Sequence, residues 1–152
     1  MKQLSWKLVL PMAILSMAMF SKWWYTLPVD APQTFMRGFP LPYVATGWHT
    51  SMSMQIFLWP LLIDFLVYFG AWFLIVLGIK FLRPGLRVHK GFFIPLLVLA
   101  GLVCAGTAYL YSFPEHLFYL QREFEMEVIE SGYSWFWQSI DPEAIERAQP
   151  MP

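Results

Sequence analysis

Apolar positions fall into three runs separated by short polar stretches, and runs of this kind predict helices. The first covers residues 8–20, where Ser16 is the lone polar side chain. The second covers residues 54–79 and carries one charge, Asp64. The third covers residues 91–113 and carries none. A bilayer core takes roughly 20 helical residues, so the second and third runs are long enough to cross it. The first is short, but Lys2 and Lys7 precede it and Trp23, Trp24 and Tyr25 follow it. Basic residues at one end and an aromatic belt at the other mark a spanning helix with both ends at the interface. Residues 1–24 are therefore expected to form an uncleaved signal-anchor helix. Pro11, Pro60 and Pro95 lie near the starts of the three runs, where a missing N–H costs least, although a second helix starting at Met54 would be kinked at Pro60.

The expected fold class is an all-α integral membrane protein. Three transmembrane helices at 1–24, 54–79 and 91–113 are joined by an outer proline- and aromatic-rich loop at 25–53 and a basic loop at 80–90. An acidic outer segment at 114–152 follows. Within it, Leu117, Leu120, Phe124 and Val128 recur at helical spacing, with Pro114 at a helix start and Gly132 at a stop. This predicts a C-terminal amphipathic helix, followed by a short one beginning at Asp141 and Pro142.

Charge sets the orientation. Lys80, Arg83, Arg87 and Lys90 share one loop with no acid, while eight of the ten acids lie after Pro114. Basic loops stay in the cytoplasm, so the N-terminus is placed inside and the C-terminus outside. The expected location is a bacterial inner membrane, with the C-terminus on the periplasmic or extracellular side.

Composition fits the bilayer and removes several function classes. The chain has 152 residues, of which 58 % are apolar and 13 % charged. Soluble domains run nearer 45–50 % and 25 %. Formal charge is zero, which leaves no electrostatic basis for nucleic-acid binding. The single cysteine, Cys104, excludes an intramolecular disulfide framework.

Candidate chemistry is sparse. Asp64 is the one ionisable side chain inside a run, and a carboxylate there costs roughly 2.5–3.5 kcal/mol on insertion scales. It is a candidate for a proton or cation relay, for an ion pair with a partner, or for a hydrogen bond to Thr107, Tyr109 or Tyr111 on a neighbouring helix. His49, His89 and His116 show no ligand spacing, so no metal or cofactor is expected. Nucleophile and phosphate-loop motifs are lacking too, and the chain is expected not to be an enzyme. Ala100, Gly101, Cys104, Ala105 and Ala108 form a row of small residues that lets another helix approach closely. Trp48, Phe124, Trp135, Phe136 and Trp137 are candidates for docking a partner. Residues 38–43 and 47–51 look like a specific motif without an obvious mechanism.

These features point to a small non-catalytic accessory or scaffold subunit of a larger inner-membrane complex. It would dock on larger membrane subunits and the bilayer, with no soluble small-molecule substrate. The alternative is a proton- or ion-coupling element centred on Asp64.

Overall fold

The computed structural model describes residues 5–28, 33–47, 53–83, 90–122 and 125–138. Helix α1 opens with a π-helical turn at Ser5–Val9 and continues as α-helix over Leu10–Met19. Strands β1 (Phe20–Pro28), β2 (Thr34–Arg37), β3 (Val44–Thr46) and β4 (Met54–Phe57) follow. Helices α2 (Leu58–Leu82) and α3 (Lys90–Tyr111) come next, then β5 (Leu117–Tyr119) and β6 (Met126–Trp135).

The six strands form one sheet in the order β5-β4-β3-β2-β1-β6. All neighbours are antiparallel except β4 and β5. The all-α expectation is therefore wrong: the protein is mixed α/β. Among the described residues, two helices, Leu58–Leu82 and Gly91–Tyr111, have the length and apolar character to cross a membrane, so the three-span layout is corrected as well.

Three segments account for the difference. The aromatic belt after α1 is a strand, because Phe20, Trp23, Trp24, Tyr25 and Thr26 are aromatic or β-branched and suit a pleated surface. The α1 helix ends where the Phe20 N–H reaches back to the Ser16 carbonyl. The expected C-terminal amphipathic helix is replaced by β5 and β6. Strand β6 pairs along β1 from Phe20↔Trp135 to Pro28↔Met126, with a bulge at Tyr25/Thr26. Gly132 is not a helix stop: it lies opposite Trp23, where an added Cβ would sit 2.7 Å from the indole. The outer loop contains β2 and β3; among its described prolines, Pro28 ends β1, and Pro40 and Pro42 turn the chain from β2 to β3. Residues 139–152, which hold the expected short helix at Asp141, lie outside the described residues.

The sheet collects at one end of the helices. β1 leaves the C-terminal end of α1, β4 runs directly into α2, and β5 follows the C-terminal end of α3. Pro60 falls in the first turn of α2, where backbone N–H groups have no intrahelical acceptor, so it does not interrupt the helix. α1 packs against both long helices and buries Val9, Pro11, Ala13 and Leu15. Polar links fasten it to α2: Trp72 Nε1 donates to Ser16 Oγ at 2.7 Å, and the Tyr68 hydroxyl donates to the Phe20 carbonyl at 2.8 Å. In the sheet, Met36, Ala45 and Phe57 are buried, with Trp24, Tyr119 and Met126 packed on them.

Candidate functional site: a carboxylate-clamped turn and its cleft

The turn between β2 and β3 is built for one conformation. Gly38 has φ +151°, a region that side chains rarely enter, and a Cβ there would lie 2.0 Å from the Leu41 carbonyl oxygen. Its N–H donates to Lys22 O at 2.9 Å, and its carbonyl accepts from Trp24 Nε1 at 3.0 Å. The Phe39–Pro40 peptide is cis. Tyr43 N–H then closes onto Arg37 O at 2.9 Å, and Phe57 N–H reaches Tyr43 O at 2.8 Å.

Asp64 supplies what the turn cannot provide for itself. Backbone N–H groups taken out of water need an acceptor, and those of Phe39 and Leu41 find theirs on α2. Asp64 Oδ2 accepts from Phe39 N–H at 2.5 Å, and Oδ1 accepts from Leu41 N–H at 2.9 Å. The Asp64 side chain is fully buried. It sits six residues into α2, about 9 Å along the helix axis at 1.5 Å per residue. Its partners are therefore turn amides, not Thr107, Tyr109 or Tyr111. Phe39 is held from its other sides by rings, with Phe20, Tyr68 and Tyr133 at centroid distances of 6.2, 6.1 and 5.7 Å. Both carboxylate oxygens are engaged with the backbone, an arrangement that anchors the turn.

Beside this turn, a cleft of about 780 Å³ separates the sheet from the end of α3. Arg37, Tyr43, Thr46, Tyr111, Glu115 and His116 give it its polar groups. Phe35, Val44, Met54, Leu110 and Phe113 supply most of the apolar surface. His116 fixes one wall. Its Nδ1 accepts from Met54 N–H at 3.2 Å, so the proton is on Nε2, which donates to Leu110 O at 2.9 Å. One side chain thereby ties β4 to the last turn of α3. Burial, reinforced by the neighbouring Tyr111 and Asp64, pushes the Tyr43 phenol well above its ordinary value, so it remains a hydrogen-bond donor at neutral pH. Arg37 is exposed, and its guanidinium lies 5.9 Å from the Phe35 ring centroid.

The other sequence candidates are scattered. Ala100 is buried, but Gly101, Cys104, Ala105 and Ala108 are exposed. An added Cβ at Gly101 or Gly106 on α3, or at Gly70 or Gly78 on α2, meets nothing within 4 Å. The small-residue row is thus largely unfilled within this chain. Trp135, Phe136 and Trp137 form an exposed aromatic group, with the two indoles stacked at 5.2 Å and Phe136 edge-on to Trp137. Trp48, His49, His89 and Phe124 lie outside the described residues. Among the described residues, no group of His, Cys, Asp or Glu is arranged to hold a metal.

The cleft has no signature in the sequence. Arg37, Tyr43, Glu115 and His116 come from three separate segments and share no spacing. Asp64 and residues 38–43 each stand out in the sequence, but their contact does not. Comparison of the chain with family models, with curated proteins and with solved structures returns no match.

Proposed function

We propose that the protein is a small non-catalytic subunit of a larger membrane assembly. Two spanning helices hold it in the bilayer and a six-stranded sheet is presented on one side. The observation that carries this reading is the exposure of α2 and α3. In their most apolar windows only 11 % and 6 % of the residues are buried, and Leu66, Leu74, Phe81, Phe92, Leu102 and Leu110 all lie open. Apolar surface on that scale requires lipid or another protein. Helices buried at the centre of a soluble fold would not be exposed to this degree. The unfilled small-residue row on α3 supports a helix neighbour from another chain. Outside the bilayer, Trp135, Phe136 and Trp137 support a second contact. An ion-coupling role for Asp64 draws no support from this geometry, because the turn amides hold both oxygens.

By the positive-inside rule, Lys80 and Arg83 at the end of α2 face the cytoplasm and the sheet faces the periplasm or cell exterior. The test is native purification in mild detergent with mass spectrometry of the complex. The expected result is a fixed-ratio assembly with a larger membrane protein. Simultaneous change of Trp135, Phe136 and Trp137 to Ala should release that partner while the sheet's circular dichroism is retained. A wild-type chain that purifies alone, stable and monodisperse, would overturn the proposal.

A further inference from the structure

We infer that the cleft between the sheet and the end of α3 holds a phospholipid headgroup carrying both a phosphate and a primary ammonium. Arg37 takes the phosphate and Glu115 the ammonium. The inference rests on the membrane reading above and goes beyond it by naming a ligand.

Three observations converge. The first is position. Leu110 and Tyr111 form a cleft wall and are the last two residues of α3, whose preceding turns expose Ile94, Leu97, Val98 and Leu102. A lipid with its headgroup in the cleft would have its chains running down that apolar surface without a break. The second is size and character. About 780 Å³ with mostly apolar walls suits a headgroup together with the first carbons of its chains. The third is charge. The cleft pairs one guanidinium, on Arg37, with one carboxylate, on Glu115. A purely anionic headgroup would satisfy the first and be repelled by the second; a zwitterionic one meets both. Arg forks match phosphate geometry, which suits Arg37 to the phosphate.

The walls are also fixed in advance. His116 is held at both ring nitrogens, and the turn that carries Tyr43 is held by Asp64. A preformed cleft binds at lower entropic cost than one that must be ordered.

The experiment is native mass spectrometry of the intact chain in non-ionic detergent, titrated with phosphatidylethanolamine and phosphatidylglycerol of matched chains. Carbonate extraction of membranes comes first. A chain released by carbonate would refute the membrane reading itself, whereas a retained chain without lipid preference would refute only this inference. The wild type should prefer phosphatidylethanolamine. Arg37→Gln should weaken both lipids about tenfold, with Arg37→Lys recovering part of the loss. Glu115→Gln should abolish the preference and leave phosphatidylglycerol binding equal or stronger. Circular dichroism should show the sheet intact in all variants. Phosphoethanolamine without chains should compete only weakly; if it binds as tightly as the lipid, the ligand is a soluble metabolite and the lipid assignment fails. Equal binding of both lipids by the wild type would overturn the pairing of Arg37 with Glu115.

Discussion

Replacing Asp64 with Asn keeps the side chain's shape but removes one of the two acceptors that hold the 38–43 turn. One oxygen remains, and the new NH2 group faces a backbone N–H that it cannot accept. Each amide now bonds to a carboxylate oxygen, at 2.5 Å for Phe39 and 2.9 Å for Leu41. A hydrogen bond to a charged group contributes about 1.5–3 kcal/mol, and an orphaned buried donor costs about 1–3 kcal/mol. Asp64→Asn should therefore destabilise the turn by about 2–3 kcal/mol. Asp64→Leu, which orphans both amides, should cost about 3–5 kcal/mol. Hydrogen exchange resolved to residues 38–43 in detergent reads this directly, since each 1.4 kcal/mol is tenfold in exchange through local opening. The Asn variant should speed exchange at Phe39 and Leu41 by about 30–100-fold, while amides in the middle of α3 stay unchanged. Unaltered exchange at both positions would refute the clamp.

Other positions give independent checks. Gly38→Ala forces a side chain into a disallowed φ and against Leu41 O, and should lower stability by at least about 2 kcal/mol in thermal denaturation. Gly132→Val should be destabilising alone, because its Cβ meets the Trp23 indole, and markedly less so on a Trp23→Ala background; additivity in that double-mutant cycle would contradict the packing. Because burial raises the Tyr43 pKa, the folded state retains that proton when the unfolded chain loses it. The resulting stability is complete below the ordinary phenol value of 10.0 and falls as pH rises above it. Tyr43→Phe should flatten the stability curve above pH 10, and an unchanged alkaline slope would contradict the burial of this hydroxyl.

The long helices are legible in the sequence because their signal is local. Residues 54–79 and 91–113 contain one charge between them, and helices α2 and α3 occupy most of both runs. The sheet is not legible in the same way. β1 and β6 pair Phe20 with Trp135, so the partner that makes a strand of the aromatic belt lies more than a hundred residues away. Local cues were ambiguous too. Leu117, Leu120 and Val128 fit a helical period, while Tyr133, Ser134 and Trp135 alternate as a strand does, and long-range pairing decided the outcome. Asp64 and residues 38–43 each stood out on their own: the first as a charge in an apolar run, the second as a proline-glycine motif. Nothing in either segment signals that they meet, because the contact depends on β2 and β3 folding back over the start of α2. The cleft is hidden for the same reason, since its walls come from β2, β3, β4 and the end of α3.

The membrane arrangement proposed for this protein has two helices crossing lipid, with the sheet on one side and the end of α2 on the other. Thiol labelling in sealed membrane vesicles measures this arrangement directly. In a Cys104→Ser background, a cysteine at exposed Glu127 on β6 and one at exposed Arg83 after α2 are probed with a membrane-impermeant maleimide. Labelling of Glu127→Cys from the periplasmic face and of Arg83→Cys from the cytoplasmic face alone is the expected result. Labelling of both positions from the same face would contradict it.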